Sequence, residues 1–159
     1  MPSKEQIKID ALKFLRENIT AVVATSFNDE PRASTVYYFV DDDFIFYFIT
    51  KRNTSKYLNI EMNPIAAFVV GTGPEHITVQ AVGRAEIVVG DEDVERIAKE
   101  LMEIRAREHI KMWPIEELYK FKDRNKVIFK MTPDKMFYMN IDSGAHPETV
   151  SDDYMQIIP

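Results

Sequence analysis

The stretch ITKRNTSKYLNIEMNP, Ile49 to Pro64, sets Lys51, Arg52 and Lys56 among threonine, serine and asparagine side chains. Thr54 and Ser55 stand where a helix N-cap would fall, and Lys56 lies in the first turn that follows. Unsatisfied backbone N–H groups, hydroxyl donors, the positive end of a helix dipole and a lysine would then converge on one point. That combination suits a phosphate monoester. Arg32, opening a neighbouring strand, could reach the same point and supply a bidentate fork. The same residues would also serve an ordinary capped helix with solvated bases, so the local pattern leaves both readings open.

Other chemistries lack their residues. His76, His109 and His146 are widely separated, and none has a second histidine or a carboxylate at metal-ligand spacing, so no metal site is expected. The chain has no cysteine, which removes thiol nucleophiles, thiolate metal sites and disulfides. No GxSxG, Walker or GxGxxG motif occurs. No side chain stands out as an acid or base, so the catalytic residue is left unassigned. Most of the eight Met and ten Phe fall at strand or helix positions that should face a core.

The elements that must position the cluster follow from periodicity. Ser3 to Glu17 reads as an amphipathic helix laid across the core, with Ile7, Leu12, Phe14 and Leu15 at near-helical spacing. Ile19–Phe27, Arg32–Val40 and Phe44–Thr50 read as three strands of an antiparallel meander joined by the polar turns NDEP and DDD. A short helix, roughly Thr54 to Met62, is stopped by Asn63-Pro64. IAAFVVG is a fourth strand. Ile77–Val89 is a long fifth, with Gly83 marking a bulge or bend.

Asp91–His109 is a helix with Asp91 as its expected N-cap and Val94, Ile97, Leu101 and Ile104 on one stripe. A helical turn at Pro114 and two strands, Lys126–Thr132 and Lys135–Ile141, complete the count. The whole reads as mainly β (α+β): six or seven antiparallel strands closed into a barrel that helices plug.

Composition bounds the rest. The 159 residues, 45% hydrophobic, suffice for one domain, placed at 1–141, with a loosely structured C-terminal tail at 142–159. Net charge is −6, so no broad basic face is available for nucleic acid or an anionic membrane, and any bound anion should be small and held locally. The N-terminus is charged throughout, and no apolar run approaches the roughly 20 residues of a membrane span. A soluble, cytoplasmic protein is the expectation.

RASTVYY, FYFITKRNTSKYLNIEMNP and ITVQAVGRAEIV occur in the order and spacing of the pyridoxamine 5'-phosphate oxidase-like proteins, and the chain resembles that FMN-binding split β-barrel family over Ile19 to Val89. The spacing of Thr50, Lys56 and Asn63-Pro64 is the most specific part. The resemblance implies a Greek-key split barrel that binds FMN as a homodimer, with the flavin at the interface. It implies that Arg32 and Lys56 grip the phosphate and that Thr54 and Ser55 donate hydroxyl or backbone hydrogen bonds. Main-chain groups of Ser34, Thr35, Val36, Ile49 and Thr50 would flank the ribityl chain and ring.

A glutamine on the fifth strand reaches the flavin in such proteins. Strict alignment puts Thr78 there, with Gln80 two residues on and on the same face. Trp113 could stack on a partner's flavin or serve as a packing anchor. The vitamer oxidases carry a basic residue where Tyr37 stands, a second arginine where Ser55 stands, and a terminal motif of tryptophan, arginine and histidine. This chain ends MNIDSGAHPETVSDDYMQIIP, acidic and free of arginine, so oxidation of pyridoxine phosphate is not expected. The resemblance implies a flavin oxidoreductase with a small-molecule substrate or redox partner. A flavin carrier without its own substrate, or the same fold holding deazaflavin or haem, remain the alternatives.

Overall fold

Apolar spacing and a hydroxyl cap fix the first element. Helix α1 (Lys4–Glu17) starts at Ser3, whose side chain accepts from the Gln6 N–H, and buries Ile7, Ala11, Phe14 and Leu15 along one stripe. The computed structural model describes residues 2–71, 76–107, 125–140 and 155–158. After α1 come β1 (Thr20–Phe27), β2 (Glu30–Val40), β3 (Phe46–Lys51), α2 (Ser55–Met62), β4 (Ile65–Val70), β5 (Ile77–Ile87), α3 (Asp91–Arg107), β6 (Lys126–Asn140) and β7 (Met155–Ile158). His109, Trp113, the turn expected at Pro114 and His146 lie outside the described residues.

The strands form one antiparallel sheet in the order β3-β2-β1-β4-β5-β6-β7, and a further β3–β6 pairing closes β1 to β6 into a barrel with β7 as an extra strand. The β1–β2 hairpin turns through Asn28 and Asp29 at φ 50° and 61°, a left-handed pair these two residue types tolerate.

Three expectations need correction. The two strands anticipated around Pro133 are a single strand, β6, whose register to β5 shifts between Val82 and Gly83. Asp134 is the unopposed residue there, so the missing proline N–H falls at a bulge and does not end the strand. Gly83 is required at this crossing, because a Cβ on it would lie 1.9 Å from the Thr132 carbonyl oxygen. Second, the Val94 N–H bonds the Gly90 carbonyl at 3.0 Å. Gly90 is therefore the N-cap of α3, and Asp91 joins Glu92 and Asp93 in its first turn. Third, the tail does not stay loose to its end: β7 pairs with β6 and buries Ile157.

The barrel interior is aromatic, with Phe46 and Phe68 stacked at 5.0 Å and Phe48 and Phe129 at 5.5 Å between ring centroids. Helix α1 covers one end of the barrel. Tyr57 and Ile60 of α2 add to the same core from the other. A second cluster on the outer wall, Tyr47, Ile97, Ala98, Leu101 and Ile128, seats α3.

Candidate functional site

Strands β2 and β3 pair only where they meet at their turn, through Tyr38–Phe48, Phe39–Tyr47 and Val40–Phe46. Beyond Tyr38 the register to β3 stops, while β2 continues its ladder with β1 down to Glu30 and β3 continues with β6 to Lys51. The barrel wall is thus split between Arg32–Tyr37 on one side and Ile49–Lys51 on the other. Main-chain segments of Ser34, Thr35, Val36, Ile49 and Thr50, the ones singled out in the sequence, line this split. The Ile49 side chain itself turns away, onto the α3 cluster.

Helix α2 follows directly from β3 and is fixed at this end by polar bonds. Its N-cap, Thr54, accepts from the Tyr57 N–H at 3.4 Å and donates its hydroxyl to the Lys51 carbonyl at 2.8 Å. That hydroxyl has one proton, so the 3.0 Å contact between Thr50 and Thr54 must be Thr50 donating. Both threonine protons are committed inside the turn. The exposed Ser55 hydroxyl and the Ser55 and Lys56 N–H groups remain as donors, with no acceptor among the described residues.

Lys56, Asn59 and Asn63 fall at i, i+3 and i+7, one stripe of the helix. Asn59 Nδ2 donates to Thr25 Oγ1 at 3.2 Å, and Asn63 Nδ2 donates to the Ser26 carbonyl at 3.0 Å, so this stripe faces the end of β1. Lys56 is half-buried there. Burial alone pulls its ammonium below the usual range, and it has no ion-pair or hydrogen-bond partner among the described residues. Arg32 pairs directly with Thr25 across the β1–β2 ladder. Their side chains leave the same face, so Arg32 stands one strand beyond the residue that Asn59 holds. Its only described ion pair is a 3.9 Å contact with exposed Glu30.

The other two bases of the cluster have different roles. Arg52 Nη1 donates to the Tyr57 hydroxyl at 2.9 Å, and the guanidinium sits 5.6 Å from that ring's centroid. Arg52 is a buttress of α2. Lys51 ends β3 opposite Lys126.

The remaining candidates lie on the outer face of the sheet. Thr35, Val22, Val69, Gln80 and Phe137 form one row across five strands, so Thr35 and Gln80 share a surface. Thr78 follows Gln80 on that face, and its buried hydroxyl has no partner among the described residues. Ser34 and Val36 point inward, away from this row. Sequence reading missed Asn59 and Thr25; the one signal available was the polar stripe Lys56, Asn59, Asn63 on a helix with two buried residues.

A closed antiparallel barrel split beside a short helix, with lysine and arginine at the mouth, defines a split-barrel protein. The chain belongs to the pyridoxamine 5'-phosphate oxidase family, whose model matches residues 7–140. Among solved structures it is similar to General Stress Protein 26 from Bacillus anthracis, at 24% identity and a TM-score of 0.63, over 84% of this chain and 93% of that one. An FAD-binding protein from Mesorhizobium loti matches at 16% identity and a TM-score of 0.61, over 80% and 88% of the two chains. A heme binding protein from Mycobacterium smegmatis matches at 15% identity and 0.65, over 87% of this chain and 55% of that one. Comparison with curated proteins gives no match. No helix among the described residues is long and apolar enough to cross a membrane.

Proposed function

We propose that the chain is an FMN-binding flavoprotein and acts as an oxidoreductase on a small substrate or redox partner, with the flavin held at the interface of a homodimer. The observation that carries this reading is Lys56: a half-buried ammonium with no described acid beside it, next to N–H groups at the start of α2 that have no acceptor among the described residues. Burying a charge without a partner is unfavourable, and a bound phosphate dianion would offset that cost. Arg32 would complete the grip, while the main chain along the β2–β3 split offers donors and acceptors to the ribityl chain. The outer row of Thr35, Val22, Val69, Gln80 and Phe137 gives a wall of three apolar and two polar side chains on which a ring, and a second copy, would rest.

When bound, the flavin supplies the hydride or electron chemistry, and the chain's own residues hold and orient it. Haem is the second reading, because a relative in fold is a heme binding protein. Iron needs an axial ligand, which a histidine, tyrosine or methionine can supply. The half-buried Lys56 beside the start of α2 is the observation that favours the phosphorylated flavin.

The test is the absorption spectrum of freshly purified protein, followed by titration with FMN and riboflavin. The expected result is a flavin spectrum and an affinity for FMN at least about tenfold above riboflavin, since charge-assisted contacts contribute about 1.5–3 kcal/mol each. Equal affinities would overturn the phosphate assignment, and a haem Soret band would overturn the flavin. Steady NAD(P)H consumption with an added acceptor distinguishes an enzyme from a flavin carrier.

A further inference from the structure

Thr25 and Thr50 are threonines buried inside the barrel, and each bonds to α2 or its N-cap. Thr50 reaches the N-cap and Thr25 reaches Asn59 in the middle of the helix. A hydroxyl in an aromatic interior contributes little net stability, and a valine would fill the same volume without needing a partner. Directional bonds at these two places do something packing does not: they fix where the helix sits along the strands.

The placement matters because of what lies on either side of the Thr25–Asn59 bond. Asn59 is one helical turn from Lys56 on the same stripe. Thr25 is the direct cross-strand partner of Arg32 on the same face. The bond therefore links the helix stripe that carries Lys56 to the strand pair that carries Arg32. Resting on the phosphate reading above, we propose that Thr25 and Asn59 are positioning residues of the anion site: their hydrogen bond sets the separation of Lys56 and Arg32 at which both engage one phosphate. Neither touches the anion. Asn63, bonded to Ser26 one turn further along, fixes the same stripe at its far end.

The experiment measures FMN and riboflavin affinities for the wild type, Thr25→Val, Thr25→Ser and Asn59→Ala, with melting temperature recorded for each. Thr25→Val keeps the shape and removes the hydroxyl, Thr25→Ser restores it, and Asn59→Ala makes the same cut from a partly exposed helix position. The expected result is a fall of about tenfold in the FMN-to-riboflavin affinity ratio for Thr25→Val and Asn59→Ala, an unchanged riboflavin affinity, and recovery in Thr25→Ser. A wild-type preference for FMN that both cuts leave intact would overturn this inference alone. A ratio near one in the wild type would overturn the phosphate reading and this inference with it. Equal weakening of both ligands would mark the bond as general packing and also overturn it.

Discussion

The two ends of the barrel handle charge in opposite ways. At the end covered by α1, a cleft of about 360 Å³ is lined by Arg16, Asn18, Asp41, Asp42 and Glu100 together with apolar neighbours. Asp41 there accepts from the Asp43 and Ile45 N–H groups at 2.9 and 3.0 Å and from the Tyr47 hydroxyl at 3.1 Å. Arg16 pairs with Asp42. At the end held by α2, Lys56 has no such partner among the described residues, and the Ser55 and Lys56 N–H groups beside it have no described acceptor. At the first end Asp41, Asp42 and Arg16 are engaged in building the β2–β3 turn and tying α1 to it. A binding end is marked by capacity left unmet.

The largest expected effect removes the frame that both ends share. Gly83→Val should cost about 3 kcal/mol or more, because the added Cβ meets backbone and neither strand can step aside without breaking the β5–β6 ladder. Chemical denaturation followed by circular dichroism measures it. Near-wild-type stability would mean that the barrel does not depend on this crossing.

Next in size is the contrast itself. Lys56→Ala and Arg32→Ala should each weaken FMN binding by about 2 kcal/mol, roughly thirtyfold, while Arg16→Ala at the other end leaves it unchanged. Arg16→Ala should also cost under about 1 kcal/mol of stability, as the pair it breaks is solvent-exposed. Lys51→Ala is the control within the cluster, acting only through long-range attraction that salt screens. Arg52 is a poor control, since its loss would also free Tyr57. Calorimetric titration that found equal losses for Lys51 and Lys56 would reduce the site to a diffuse basic turn.

A smaller effect probes the spent end. Asp41→Ala leaves two N–H groups and a tyrosine hydroxyl short of an acceptor, at a cost of about 1–3 kcal/mol. The Tyr47 hydroxyl titrates above its usual range because of burial and the Asp41 charge beside it, so its titration should move down in the variant. Flavin affinity should not change. A change would couple the two ends through the barrel.

What the sequence made legible and what it hid divide along the same line. The meander, the stop at Asn63-Pro64 and the bend at Gly83 depend on neighbours in the chain, and each could be read there. The continuity of β6 through Pro133 could not, since a proline reads as a terminator unless the bulge that accommodates it is known. β7 is a four-residue strand that exists by pairing with β6, the strand before it, which its own short sequence does not announce. The cluster at Lys56 was visible because its N-cap, hydroxyls and base are contiguous. The bond from Asn59 to Thr25 spans 34 positions and depends on helix placement and strand register together, so no local pattern announces it.

The smallest effect concerns Lys56 without ligand. Its depressed ammonium means that the folded apo protein holds that proton less tightly than the unfolded chain, whose lysine keeps the usual 10.5. Below the folded value both states are charged, and folding carries the full cost of burying the ammonium. As pH rises through the lowered value that cost is progressively relieved, and it is gone above 10.5. Lys56→Met, which keeps the aliphatic stem and discards the charge, should therefore melt higher than the apo wild type at pH 7, by about a degree or two. The gap should narrow as the pH approaches 10. Saturating FMN should reverse the order, because a phosphate dianion makes the buried ammonium favourable and the roughly thirtyfold tighter binding stabilises the wild type by about 2 kcal/mol more than the variant. Scanning calorimetry of both proteins across this pH range, with and without FMN, tests the sign. An apo variant that melts lower than the wild type at pH 7 would show that Lys56 already has its counter-charge within the chain.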